Sequence, residues 1–374
     1  MRWTTTAALL FAATFPATAH AAKFTTGDLD LVLGGHAEAF YSYVFANPAN
    51  GVNNARIFDT RHNTFALSSA GLSLDADTEY AMLRLALWFG TTSETIYSSE
   101  PPANTPGTAG AGGKQLWRFI QEAYARGKIP VGYGDIHIDG GIFVSPIGLE
   151  NVLAKDNWNY SSSNLNFMLP FYHTGLRVTV PVARSWTVTA GIYNGWSNVI
   201  DNNADKSFAL TSAGTLGRLD WGATYWLGNE RAAGSPEGSP WLQHFDAWGK
   251  ARLFDWFWAG VQADFGFESN RIDSSVWYGG ALYGRFRIGP PLHLTLRVDY
   301  FSDRPGDGVS PLFFAATWVS SQTATLELSP NEFFAIRLEY RHDEAGGPLY
   351  FDADPTAVTA DHQNVFTVAL LAQM

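Results

Sequence analysis

Along most of the chain apolar and polar residues alternate one by one. The alternation is cleanest from Phe334 to Arg341, where Phe334, Ile336, Leu338 and Tyr340 interleave with Ala335, Arg337, Glu339 and Arg341. A period of two puts successive side chains on opposite faces of a β-strand, so this segment has one apolar face and one largely charged face. The pattern recurs at Leu294, Leu296, Val298 and Tyr300 against Thr295, Arg297 and Asp299, and at Ala259, Val261, Ala263, Phe265 and Phe267 against Gln262, Asp264 and Glu268. It recurs again at Leu219, Trp221, Ala223, Tyr225 and Leu227 against Arg218, Asp220, Thr224 and Trp226. These runs exceed the ~5–6 residues usual for a sandwich strand, and several reach the ~9–11 that a tilted strand needs to cross hydrocarbon. Aromatic residues near strand ends, such as Phe334 with Tyr340 or Trp221 with Tyr225, match interfacial girdles.

Connections alternate between short and long. Tight turns are expected near Asp75–Thr78, Gly127–Gly134, Pro181–Ser185, Gly214–Gly217, Phe254–Trp256, Gly289–Pro291 and Ser329–Glu332. Longer polar or Gly/Pro-rich stretches lie near Asn47–Arg61, Thr91–Lys114, Ser145–Pro170, Trp196–Lys206, Gly228–Leu242, Ser302–Pro311 and Glu344–Asp361, with Ser269–Ser274 as one further loop. Short periplasmic turns and long outer loops give this rhythm in a transmembrane antiparallel β-barrel, here of about 16 strands, with 14 or 18 as alternatives. The all-β barrel must close, because an open sheet edge in lipid would leave unpaired backbone groups. Thr91–Gly113, rich in Gly, Ala, Pro and Ser/Thr, reads as a mobile outer loop.

Composition sharpens this picture. The chain is 15% aromatic and 46% hydrophobic, with 36 glycines, yet its mean hydropathy is close to zero, as expected when greasy and wet positions interleave. Residues 1–22 read as a secretory signal peptide: Arg2, an apolar run from Ala7 to Phe15, and small residues at Ala17, Ala19, Ala21 and Ala22. Residues 23–374 then form a single outer-membrane barrel domain, exported to the bacterial outer membrane. No cysteine is present, which removes disulfides and thiolate metal sites. A net charge of -11 argues against nucleic-acid binding.

Several strings resemble one family. Arg56-Ile57-Phe58-Asp59 with His62-Asn63 and Phe65 is similar to the opening of the OmpL-like β-barrel porins. So are Gly141 with Phe143, Pro146-Ile147-Gly148 and Glu150, then Asn157-Trp158-Asn159-Tyr160-Ser161, Pro170-Phe171 with His173-Thr174-Gly175, Asn194-Gly195-Trp196 and Asp201-Asn202-Asn203. The string Arg337-Leu338-Glu339-Tyr340-Arg341-His342-Asp343 completes an ordered set that covers nearly the whole chain. The resemblance implies a bacterial outer-membrane barrel with porin activity; it implies no particular solute. One departure is the end of the last strand, Asn364–Gln373, which finishes at Met374 instead of the aromatic residue that the barrel assembly machinery usually reads.

The candidate chemistry is a set of inward charges. The cations are Arg84, Arg177, Arg218, Lys250, Arg252, Arg285, Arg287, Arg297, Arg337 and Arg341; the carboxylates are Glu38, Asp139, Asp220, Asp264, Asp299, Glu327 and Glu339. In a water-filled lumen they would set ion preference; alternatively they pair across strands and stiffen the wall. Glu150, Asn157, Trp158 and Tyr160 sit in a long connection that either folds inward as a constriction loop or packs as ordinary loop. Asp201–Asp205 opens like a calcium loop but has Lys206 where glycine is expected and Ser212 where a glutamate is. No His-x-x-x-His pair or Gly-x-Ser-x-Gly elbow marks a catalytic site. The leading expectation is a porin-like channel without cofactor, passing small hydrophilic solutes or ions, with outer-membrane lipids around it and homo-oligomerisation left open. A lipid-modifying enzyme or an adhesive barrel is the alternative.

Overall fold

A computed structural model of the protein describes residues 21–100, 113–272, 274–305, 312–353 and 356–374. After a short β1 (Ala22–Thr26), the chain forms β2 (Leu29–Val44), β3 (Thr64–Asp77), β4 (Ala81–Phe89), β5 (Ile120–Val131), β6 (Gly134–Val144), β7 (Tyr172–Ala183) and β8 (Trp186–Tyr193). It continues through β9 (Ser207–Leu216), β10 (Leu219–Gly228), β11 (Leu242–Phe254), β12 (Phe257–Ser269), β13 (Ser274–Gly289), β14 (Leu292–Pro305), β15 (Trp318–Asn331) and β16 (Phe334–Ala345). A small loop ladder, β17 (Tyr350–Phe351) and β18 (Val358–Ala360), precedes the last strand, β19 (His362–Gln373). Each long strand pairs antiparallel with its neighbours, and β19 pairs with β2 from Val365↔Val44 to Gln373↔His36, which closes a barrel of 16 strands.

The seven tight turns fall where the alternation breaks, and each long connection lies at the opposite rim. The 16 barrel strands run from 8 residues in β8 to 16 in β2 and β13. The longest exceed the hydrocarbon requirement and project into water at the outer rim. The stretch beginning at Thr91 is not all irregular: Thr91–Ile96 is a helical turn and a half, α1, and Gly113–Trp117 is a second, α2. Residues 101–112 of the expected mobile loop Thr91–Gly113 lie outside the described residues, as do residues 1–20 of the expected signal peptide. Ala22, its last residue, opens β1 and pairs with Leu33.

β1 and β19 share one edge of β2. Met374 and Gly35 exchange backbone hydrogen bonds of 2.9 and 3.1 Å, and directly below them Ala22–Thr26 pairs with Leu33–Leu29. β1 therefore pairs with the stretch of the β2 edge that follows on from the β19 pairs.

Side-chain alternation divides two solvents. On β14, Leu296 and Val298 are 45% and 49% exposed whereas Arg297 between them is 1% exposed. Outward leucine, valine and phenylalanine make the lipid belt, and Phe254, Trp256, Phe257 and Phe286 stack in one cluster at the periplasmic rim, with centroids 4.8–6.3 Å apart, as an interfacial girdle does. Inside, bulky rings are seated over glycines: Gly266 faces Trp277 across the ladder, and a Cβ on Gly266 would fall 1.9 Å from the indole. Gly141 takes φ 143° with Tyr124 and Ala123 against it, a conformation and a clearance that only glycine satisfies.

Leu338 lies outward, 41% exposed, in the middle of β16. Leu338→Arg is expected to destabilise the barrel by about 2–4 kcal/mol, the cost of an arginine at the bilayer midplane. Urea unfolding in phospholipid vesicles, followed by tryptophan fluorescence, would read it; an unchanged midpoint would mean that this face is not in hydrocarbon.

Candidate functional site: a loop clamped inside the barrel

The connection between β6 and β7, residues 145–171, does not stay outside. It turns into the lumen and is held against the far wall by charged side chains that bond its backbone. Four carboxylates on the wall accept its amides. Asp246 accepts from Gly148 N at 3.1 Å, and Glu38 from Ala154 N and Lys155 N at 3.2 and 2.8 Å. Glu339 accepts from Tyr160 N and Ser161 N at 2.7 and 3.0 Å, and Asp299 from Asn164 N at 3.1 Å. Gln262 Oε1 adds a bond from Leu149 N at 2.9 Å.

Three arginines supply the complementary half, because a guanidinium offers five donors in a fixed fork. Arg337 donates to the carbonyls of Ala154, Asn157 and Asn159 at 2.6, 2.6 and 3.0 Å, and its Nε bonds Glu327 at 2.7 Å. Arg297 donates to the carbonyls of Ser161 and Ser162 and pairs with Glu150 at 2.8 Å. Glu150 in turn accepts from both the amide and the hydroxyl of Ser163. Arg341 donates to Ser162 O and Asn164 Oδ1 and pairs with Asp343 at 2.6 Å. A loop lacking ladder partners thus satisfies much of its buried backbone with wall charges, each charge-assisted bond contributing roughly 1.5–3 kcal/mol.

Apolar contacts complete the seating. Leu165 and Met168 are fully buried with Trp226, Trp277 and Phe301, and Tyr160 packs on Phe40 of β2, ring centroids 5.7 Å apart. Trp158 lies edge-on to Tyr283 and within 6.0 Å of the Lys250 ammonium. Above this level, Phe313 and Phe314 of the β14–β15 connection bond Asp303 through their amides and pack on Trp277, Phe301 and Phe167. At the outer mouth, Glu230 accepts from Trp226 Nε1, Ser207 Oγ and Trp196 N, and burial pushes its carboxyl up from the ordinary glutamate value. Burial does the same to Glu100, which holds Tyr172 Oη and Val199 N.

The expected inward charges separate into three groups. Arg297, Asp299, Arg337, Glu339 and Arg341 come together in the clamp. On the other wall Arg84 pairs with Asp75 and Glu122, and Arg177 shares Asp139 with Arg126. Lys250, Arg252, Arg285 and Arg287 lie lower, on the inner faces of β11 and β13, with Asp220 beside Lys250 in the ladder. Arg218 corrects the inward expectation: it lies on the turn between β9 and β10, exposed at the periplasmic rim, because the strand begins only at Leu219. Glu150, Asn157, Trp158 and Tyr160 all lie within the lumen segment.

Several partners escape the sequence reading. Arg126 is inward but stands next to Gly127, where a turn was expected to begin. Arg56 and Asp59 sit in a long loop, yet Arg56 binds both Asp59 and Asp343. Three of the strings carrying the family resemblance therefore meet: the Arg56–Asp59 loop reaches Asp343 of β16, and the lumen segment reaches Arg337, Glu339 and Arg341. The Asp201–Asp205 turn uses its oxygens on its own amides and on Lys206. Among the described residues two Ser–His contacts exist, His173 with Ser145 at 3.1 Å and His36 with Ser69 at 2.8 Å. Both are inward, and His173 is stacked between Tyr193 and Trp226, so neither presents a nucleophile to lipid.

A closed 16-stranded barrel with a greasy exterior, a charged interior and a long loop folded inward defines an outer-membrane β-barrel of the porin type. Residues 30–374 match the family described as "Putative beta-barrel porin-2, OmpL-like", and the chain belongs to it. Among solved structures it is similar to OmpF of Salmonella typhi in complex with daunomycin (TM-score 0.61, 10% identity, covering 94% of this chain and 100% of that one). It is also similar to the outer membrane channel DcaP of Acinetobacter baumannii (TM-score 0.60, 12% identity, 94% and 99%) and to OmpT of Vibrio cholerae (0.59, 11%, 94% and 100%). At such identities the likeness concerns the fold. Curated proteins yield no match.

Arg337→Ala would leave three loop carbonyls and Glu327 without their shared partner. Glu327 keeps Arg285, so the loss falls on the loop carbonyls, and the hold on the segment is expected to weaken by about 1.5–3 kcal/mol for each charge-assisted bond lost. Limited proteolysis of the detergent-solubilised variant should cut within residues 150–163 much faster than in the parent while the heat-modifiable barrel persists; equal cutting rates would show that the clamp is not what holds the loop.

Proposed function

We propose that the protein is a passive, non-enzymatic channel of the outer membrane for small hydrophilic solutes and ions, narrowed by residues 145–171. The observation that carries this reading is the clamp. A barrel of 16 strands encloses a lumen wider than its own wall side chains can fill, and here a single segment crosses that lumen on charged anchors. Such an arrangement sets the passage by rigid geometry, because displacing the segment would strand several buried charges at once.

The interior supports solute passage rather than a chemical step. Arg84, Arg126, Lys128 and Arg177 on β4, β5 and β7 are each bonded to a carboxylate, and both Ser–His contacts are enclosed away from lipid. Surrounding lipids meet the outward apolar belt, and insertion by the assembly machinery, with or without association into homo-oligomers, is compatible with that belt.

The test is single-channel conductance of purified protein in planar bilayers, compared with a variant whose residues 150–162 are replaced by a short Gly/Ser linker. The parent should give stable, small steps and the variant steps roughly twofold larger or more, since conductance follows the narrowest cross-section. A correctly folded parent and variant that both fail to conduct would end the channel reading; equal steps would remove the segment as the constriction.

A further inference from the structure

The lower lumen is electrically lopsided. On the inner faces of β11, β12 and β13 the ionisable residues of the outer half are His244, Asp246, Asp264 and Glu268, whereas those of the periplasmic half are Lys250, Arg252, Arg285 and Arg287. No carboxylate stands on those three inner faces below Gln262. The opposite wall is different: Arg84, Arg126, Lys128 and Arg177 are bonded to Asp75, Asp77, Glu122 and Asp139.

The cations of β11 and β13 are gathered around one indole. Trp258 stands between Arg252 and Arg285 in the cross-strand register. The Arg252 and Arg287 guanidiniums lie 5.7 and 5.1 Å from its ring centroid. Among the described residues Arg287 has no carboxylate within ion-pair distance. Arg252 has only the exposed Asp255 of the adjoining turn, at 2.9 Å, a contact of little strength in water. Arg285 shares Glu327 with Arg337, two guanidiniums on one carboxylate, at 2.7 Å each. Arg285 also borders a cavity of about 390 Å³ beside the tip of the lumen segment, whose charged lining is otherwise Lys155, Asp156, Glu327, Glu332 and Arg337. Its size suits a small solute.

We propose that Arg252, Arg285 and Arg287, gathered around Trp258, form a seat for a small soluble oxyanion, carboxylate or phosphate, at the periplasmic end of the lumen. Guanidinium forks match both groups in geometry, and the indole face pre-orders two of the forks before a ligand arrives. The seat deepens the channel reading and rests on it for its physiological meaning: it would concentrate anions at the inner mouth and bias passage towards them. It also makes sense of the axial polarity, because the acidic outer half is where Asp246 holds the lumen segment while the basic half has cationic surplus.

The experiment pairs a binding readout with a conduction readout, so that the two proposals fail separately. Equilibrium dialysis of labelled inorganic phosphate against the detergent-folded protein at low ionic strength should show saturable binding, weakened about tenfold or more in R252Q/R287Q, which removes two charge-assisted contacts. The reversal potential in a KCl gradient should show anion preference in the parent, lessened in both R252Q/R287Q and R287E, each of which lowers the charge of the seat by two. Both substituted side chains are exposed at the rim, and heat-modifiable mobility checks folding; if the double variant misfolds, R287E alone serves. Saturable phosphate binding without conductance would keep the seat and sink the channel. Conductance with no saturable binding, or with affinity and selectivity unchanged in the folded variants, would overturn the seat.

Discussion

The nine pairs that join Val365–Gln373 of β19 to Val44–His36 of β2 close the sheet on itself, and closure governs what every other residue can do. Inside hydrocarbon each unsatisfied N–H or C=O costs several kcal/mol, so a strand with a free edge has no place there. Once the ring is complete, every strand has a lipid side and a lumen side, and the one-by-one alternation of leucine, valine and phenylalanine with arginine, aspartate and threonine is the only pattern that suits both. β1 belongs to the same logic, since it covers the stretch of β2 below Met374.

Closure at 16 strands creates the second constraint, a lumen too wide to be filled from the wall. The protein resolves it by bringing in backbone from residues 145–171, and that backbone arrives without ladder partners. Apolar contacts alone could not receive it, because buried amides and carbonyls need hydrogen bonds. Wall carboxylates take the amides and wall arginines take the carbonyls, so the charges that would be expensive to bury singly compensate one another through the loop. The price is rigidity: a segment held by Arg297, Arg337, Arg341, Glu38 and Glu339 together moves only if several anchors release at once.

Charge is therefore used in three different ways within one interior. On β3–β7 opposite charges neutralise each other across strands; on β14–β16 they grip peptide groups; and at the foot of β11–β13 arginines accumulate around Trp258 with few carboxylates near them. The overall acidity of the chain, -11, says nothing about this distribution. Local surplus, not net charge, decides what a solute meets at either mouth.

Much of the barrel was legible in the residues themselves. Period-two alternation, seven tight turns and eight long connections are local features, and in a membrane barrel local features determine strand number because the ladder joins each strand to its sequence neighbour. Inward and outward faces were legible for the same reason, down to Arg297 against Val298 and Glu339 against Leu338. What only the tertiary structure decided was which charges act together. Arg337 and Asn157 are far apart along the chain, as are Glu38 and Lys155 or Arg56 and Asp343, and no periodicity relates them; their contacts exist because the barrel curves one wall to face a loop leaving the other. A strand's face follows from its own sequence, whereas the partner of a lumen charge follows from the closed circumference.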